Sequence, residues 1–176
     1  MKSDRLGLAS GRLCLSSYEP DWPLLFLEER ERLCGVLGAQ VLDVQHIGST
    51  SIPGMPAKPI LDIGVAVANF EEAARCIPLM EKLGYSYKGE NGIARRHYLV
   101  KGDPRTHHLH MLEATSEEWK NHLLFRDCLR GNPATAQEYA SLKQTLSTRF
   151  AADREAYQTG KESFIKTVLR KAAQGS

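Results

Sequence analysis

His46-Ile-Gly-Ser-Thr-Ser-Ile-Pro-Gly-Met-Pro-Ala-Lys58-Pro-Ile-Leu-Asp62-Ile-Gly-Val-Ala-Val67 holds two strands and the turn between them, and its reading decides the fold. Residues 41–47 alternate as a strand that puts Leu42, Val44 and His46 on one face. Gly48 to Pro59 is rich in turn residues. Residues 60–67 form an apolar run that reads as a central strand buried on both faces. Asp62 interrupts that run. A carboxylate in a buried strand is costly unless it is paired, hydrogen-bonded or metal-bound. Period-2 alternation puts it on the face of Ile60, Gly64 and Ala66.

Outward from this stretch the chain alternates helices and strands. Asp21 is placed as the N-cap of a helix carrying Trp22, Phe26, Leu33 and Leu37 at helical spacing, with Gly38 as its stop. Residues 12–18 read as a short edge strand. Asn69 and Glu72 open a helix over 70–83, which Pro78 kinks or breaks. Residues 85–88, 93–100 and 106–112 read as strands. Helices follow over 116–130, 133–150 and 153–172, the second announced by Asn132-Pro133. Strands mostly first and helices last predict an α+β or mixed-sheet α/β domain with a C-terminal helical segment, one domain over 1–176.

Composition narrows the classes. Of 176 residues, 42% are hydrophobic and 25% charged, as in ordinary globular proteins, which excludes disordered, collagen-like and disulfide-rich chains. The 23 basic and 21 acidic residues leave a net charge of +2, too weak to argue for duplex DNA as a partner. Cys14, Cys34, Cys76 and Cys128 form no CxxC pair and are read as reduced thiols of a cytoplasmic protein. No signal peptide or membrane span is evident, so no membrane partner is expected.

Three groups of residues carry candidate chemistry. The first is the Gly48–Lys58 turn, where Gly48 permits close backbone approach, Ser49, Thr50 and Ser51 offer hydroxyls and amides to an anion, and Lys58 adds charge. It fits neither GxxxxGK[ST], since Lys58 lies four residues after Gly54, nor GxSxG; it reads either as a phosphate-binding turn or as a surface turn. The second is Thr106-His-His-Leu-His110. Here His108 and His110 share a face, as site histidines or metal ligands, and His107 faces the other way. Arg95, Arg96, Lys101 and Arg105 nearby form either a solvated hairpin or an anion-steering rim. The third is helical. Lys143 and Lys161 each follow a tyrosine by four residues within an apolar stripe, as side chains that snorkel or as ammonium groups converging on one cleft. Arg126 and Arg130 are likewise four apart, with Asp127 an obvious ion-pair partner.

The stretch from His46 to Ile63 resembles the signature of the GrpB family. The resemblance continues through Tyr18 and Trp22, Gly84-Tyr85, His107 to His110, Phe125 to Arg130, Tyr139 with Lys143 and Tyr157 with Lys161, nearly the whole chain. The family is bacterial and similar in fold to the nucleotidyltransferase superfamily, with a related domain fused to dephospho-coenzyme A kinase in some bacteria. The resemblance implies a mixed sheet with Gly48-Ser49 as a phosphate turn and Asp62 as the first of an Asp-x-Asp pair that holds magnesium. The second carboxylate position is Gly64. The third, on a neighbouring strand, is replaced by His108 or His110.

The expected site is therefore Asp62, His108 and His110 as catalytic candidates, Asp62 as the Mg²⁺ ligand, and His46, Gly48, Ser49, Thr50, Ser51, Lys58, Arg126, Arg130, Lys143 and Lys161 as ligand-binding residues. The expected partner is a small phosphorylated ligand such as a nucleotide. Three functions are compatible: a nucleotidyltransferase-like enzyme, a non-catalytic or regulatory binder of a nucleotide or coenzyme A-like molecule, and a His/Asp metal hydrolase built on His46, Asp62, His108 and His110. Gly64 favours the binder over a standard transferase, and the scarcity of ligands disfavours the hydrolase.

Overall fold

In the computed structural model, which describes residues 6–9 and 13–174, five strands pair in the order β1-β2-β5-β4-β3. They are β1 (Asp43–Ile47), β2 (Leu61–Val67), β3 (Tyr85–Tyr87), β4 (Arg96–Lys101) and β5 (His107–Glu113). Only β2 and β5 run parallel; the other pairs are antiparallel, so the sheet is mixed, as the order of elements predicts. The helices are α1 (Trp22–Leu37), α2 (Phe70–Ala73), α3 (Ile77–Lys82), α4 (Glu117–Gly131), α5 (Pro133–Arg149) and α6 (Arg154–Gln174).

The two faces of the sheet are unlike. Leu61, Ile63, Val65, Leu109 and Met111 point to a core closed by Trp22, Phe26 and Leu33 of α1 and Met80 of α3. The alternate positions of β2 and β5 face α4. There Ala66 and Leu112 pack on Trp119, while Asp62, His108 and His110 stand polar at the other end of the strands. A third cluster, with Ile52, Met55, Leu129, Tyr139 and Val168, fastens α4, α5 and α6 to the turn after β1. The apolar run was expected to be buried on both faces, and it is except at Asp62, whose side chain keeps 31% of its surface exposed.

Several expectations are corrected. The strand expected over 12–18, whose residue 12 lies outside the described residues, is reduced to one bridge, Ser16 with Ala57. Pro56 and Pro59 flank Ala57 and have no N–H with which to extend a ladder. Leu42 precedes β1 and is 60% exposed rather than sharing the face of Val44 and His46. The helix expected over 70–83 divides into α2, a 3₁₀ turn and α3, with Pro78 in the first turn of α3. Asn69 and Asn132 cap as read, accepting from Glu72 N and Thr135 N. Asp21 stands at the N-cap of α1 without a capping side-chain bond. Among the described residues, no helix is long and apolar enough to cross a membrane.

Candidate functional site

The turn after β1 begins at Gly48, with φ +68° and a Cβ position only 2.6 Å from Asp62 Oδ2. Glycine is required twice there, for the left-handed backbone and for the approach to the carboxylate. Ser49–Ser51 then form a 3₁₀ turn, closed by Ser51 Oγ donating to Gly48 O at 2.6 Å.

Four residues expected to bind ligand brace this turn from behind. His46 is stacked on Phe26 and bonded to Thr50 Oγ1 at 2.9 Å; burial pushes its pKa down to about 4, against the pull of Asp62 and with help from Arg130 and Arg126. Arg130 donates from Nε and Nη2 to Ser51 O at 2.9 and 2.7 Å. Arg126 donates to Gln45 Oε1 and His46 O, and pairs with Asp127 as its neighbour suggested. The Ser51 hydroxyl is spent on Gly48. These side chains hold the loop's shape rather than line the cleft in front of it, because α4 packs behind the loop.

Asp62 meets both strand histidines because β2 and β5 are parallel, in a register that sets His108 beside Asp62 and His110 beside Gly64. Asp62 Oδ1 lies 3.2 Å from His108 Nδ1 and 3.5 Å from His110 Nε2. Arg96 Nη1 lies 3.3 Å from His110 Nδ1. Arginine only donates, so His110 accepts at Nδ1 and offers its Nε2 hydrogen to Asp62. Burial pushes the His110 pKa down to about 4 despite Asp62, so the ring is neutral at pH 7. Burial would raise the Asp62 carboxyl, but hydrogen bonds from His108 and His110, joined by their charge in acid where the rings are protonated, hold it well below the usual carboxylate range. The carboxylate only accepts, so His108 donates from Nδ1 and keeps a lone pair on Nε2. That atom is buried without a hydrogen-bond partner among the described residues. His107 faces the other side of the sheet, as read, against Thr106 Oγ1 and Tyr85.

Three ammonium groups come to the same place. Lys143, 2% exposed, donates to Ser49 Oγ at 3.0 Å and to Pro56 O, and stands 4.9 Å from the Tyr139 ring centroid. Lys161 and Lys58 stand 4.6 and 4.9 Å from the centroid of Tyr157. Burial, then the charge of Lys161, pushes the Lys143 pKa down to about 7. Lys161 falls to about 8 through burial and Lys58, with Asp62 opposing. Lys58 falls to about 8 through burial and Arg154, again with Asp62 opposing.

These side chains open on one cleft of about 700 Å³, which Gly48, Ser49, Thr50, Asp62, His108 and His110 also line. Tyr139, Tyr157, Phe125, Arg154, Glu118 and Glu162 also line it without having been named as site residues. The repeated Tyr-x-x-x-Lys spacing was their signal for the tyrosines, since each ring carries the ammonium one turn later. Phe125 lies in the Phe125–Arg130 segment of the resemblance, but nothing local marked Arg154.

The donor set does not fit a pair of Mg²⁺ ions. At Gly64 an added Cβ would lie 2.9 Å from Trp119 Cζ3, so the place of a second carboxylate is filled by an indole. Asp62 Oδ1 is engaged by two imidazoles, and His110 Nδ1 by a guanidinium. Among the described residues, no group of three or more His, Cys, Asp or Glu is arranged to hold a metal ion. Lys58, Lys143 and Lys161 line the same cleft, and their ammonium groups compete with a cation.

The GrpB protein family matches residues 12–171. The chain is 45% identical over 156 residues to the UPF0157 protein YqkA of Bacillus subtilis, a match covering 88% of this chain and 46% of that protein. It is 25% identical over 180 residues to a dephospho-CoA kinase of Mycolicibacterium paratuberculosis, covering 88% of this chain and 44% of the kinase. The chain thus spans under half the length of these two relatives. The crystal structure of conserved protein GrpB from Enterococcus faecalis superposes with a TM-score of 0.85 at 38% identity, covering 92% of this chain and 98% of that one.

Proposed function

The chain belongs to the GrpB family, and from that premise we propose that it binds a small phosphorylated ligand, such as a nucleotide or a coenzyme A-like molecule, in the cleft between the Gly48–Ser51 turn and α5–α6. One observation carries the reading. Lys58, Lys143 and Lys161 converge on a hydroxyl-bearing turn above the carboxylate of Asp62, while the cleft's other carboxylates among the described residues, Glu118 and Glu162, pair with His122 and Lys166. Like charges brought together out of water are unfavourable until an anion joins them. The two pairs of tyrosine and lysine supply ring faces beside the ammonium groups, and Phe125 adds an apolar wall on which a base or other flat group can rest.

In this reading the lysines take the place of metal. Ser49 Oγ and the Lys143 ammonium meet one phosphate, and Lys161 and Lys58 neutralise its remaining charge. Mg²⁺ enters, where it enters, with the ligand rather than on a protein cage. Transferase chemistry at Asp62, His108 and His110 is the alternative. The hydrolase reading is not favoured, because His46 is engaged with Thr50 behind the turn.

Isothermal titration of the chain with ATP, CTP, GTP and coenzyme A, each with Mg²⁺ and with EDTA, tests the proposal. Binding of at least one in EDTA is expected. Binding of none, in either condition, overturns it.

A further inference from the structure

Lys58, Ile60, His108 and Arg154 line not only the cleft but also a small chamber beside it, completed by Leu8, Ala9 and Arg105, of about 20 Å³. That is room for one oxygen atom. Its chemistry is one-sided: among the described residues, three cationic side chains and no carboxylate stand on its walls. The other basic residues of the β4–β5 region have partners. Arg95 is paired with Glu71 and Glu113, Lys101 with Glu29, and Arg96 donates to the carbonyls of Glu90 and Asn91. Among the described residues, Arg105 and Arg154 have no such carboxylate. The one further polar group on the wall is His108, committed to Asp62 through Nδ1 and left with a buried, unpartnered Nε2.

We propose that the chamber takes one oxygen of a second phosphate, so that the ligand of the cleft carries two linked phosphate groups. The first meets Ser49, Lys143 and Lys161. The second reaches between Lys58 and Arg154 and sets an oxygen against Arg105 and His108. The inference rests on the phosphate-binding reading above and extends it to the class of ligand. Lys58 joins the two positions, since it shares the Tyr157 ring with Lys161 and also borders the chamber. A terminal phosphate suits the mixed demand of this wall. Its charge answers three cations, and near neutrality part of it carries an exchangeable proton that the lone pair on His108 Nε2 can accept.

The experiment is titration calorimetry of the full chain with orthophosphate and with pyrophosphate, in EDTA. Pyrophosphate is expected to bind about tenfold tighter or more, the gain of one further charge-assisted contact. The variant Arg105→Ala, with its fold checked by circular dichroism and thermal unfolding, is expected to bring the two anions within about threefold while orthophosphate affinity holds. Equal affinity in the parent chain, or a preference that survives in Arg105→Ala, overturns the second subsite and leaves the cleft reading standing. Loss of orthophosphate binding in Arg105→Ala overturns it too, by placing the first phosphate at that arginine. If neither anion binds and no nucleotide or coenzyme A binds, both readings fall.

Discussion

Trp119 of α4 occupies the place that a side chain at position 64 of β2 would need: a Cβ on Gly64 would stand 2.9 Å from Trp119 Cζ3 and 3.4 Å from Ile47 Cδ1. The glycine is thus a packing requirement of the α4–sheet contact.

Gly64→Asp is therefore expected to damage the fold rather than restore a metal pair. Overpacking costs about 1–3 kcal/mol, and a carboxylate pressed on an indole adds desolvation. Urea unfolding should show a lower midpoint with an unchanged slope. A stable Gly64→Asp variant that gains Mg²⁺-dependent nucleotide binding would contradict the packing argument.

Ligand binding is expected to persist in EDTA. Lys143→Ala or Lys161→Ala should weaken it by ~1.5–3 kcal/mol, the range for a hydrogen bond to a charged group. Asp62→Asn should weaken it little, or strengthen it by removing a negative charge near the anion, while abolishing any Mg²⁺-dependent turnover. Calorimetry decides: binding that needs Mg²⁺ and vanishes in Asp62→Asn would return the site to metal chemistry.

The lysines make binding depend on pH. Their pKa values lie at about 7 for Lys143 and about 8 for Lys58 and Lys161, below the ordinary 10.5. An anion favours the charged forms and draws protons in, so affinity should fall as pH rises through 7 to 9, with proton uptake near pH 8 in buffers of different ionisation enthalpy. His110, neutral above about pH 4, adds nothing to this trend. Without ligand, the unfolded chain holds more protons on these lysines than the folded one between pH 7 and 10, so their contribution to stability rises with pH over that window. Lys161→Met should raise the melting temperature more at pH 7 than at pH 10; an equal change at both would show that the ammonium is not destabilised by its surroundings.

Acid acts on other groups. His46, His107 and His110 are pushed by burial to about 4, from 6.5. A histidine held neutral in the fold contributes stability that is complete above the unfolded value and lost as pH falls toward the folded one. Stability is expected to decline between pH 6.5 and 4. His107→Gln, on the sheet face away from the cleft, should flatten part of that decline without changing ligand affinity at pH 7. An unaltered acid profile would remove His107 from the account.

Much of the site was legible because strand alternation is a local property of the backbone. Asp62 in an apolar run, His108 and His110 on one face, His107 on the other, and the repeated tyrosine-lysine spacing all follow from residues a few positions apart. The predicted strands and helices lie close to those observed for the same reason. The broken helix at Pro78 and the caps at Asn69 and Asn132 are likewise local stereochemistry.

What the sequence by itself determined is the set of elements, the face on which each side chain of a strand stands, and the family. Only the tertiary structure decided which charged groups reach the cleft. Arg126 and Arg130 brace the back of the turn, and Arg154 and Phe125 stand at its front, because helix packing chose the side from which α4 and α6 approach. The parallel register of β2 and β5, which puts His108 on Asp62, joins residues 46 positions apart. So does the fit of Trp119 over Gly64 depend on two distant segments meeting. Such contacts arise from the packing of whole elements, and a local pattern carries no measure of how those elements will meet.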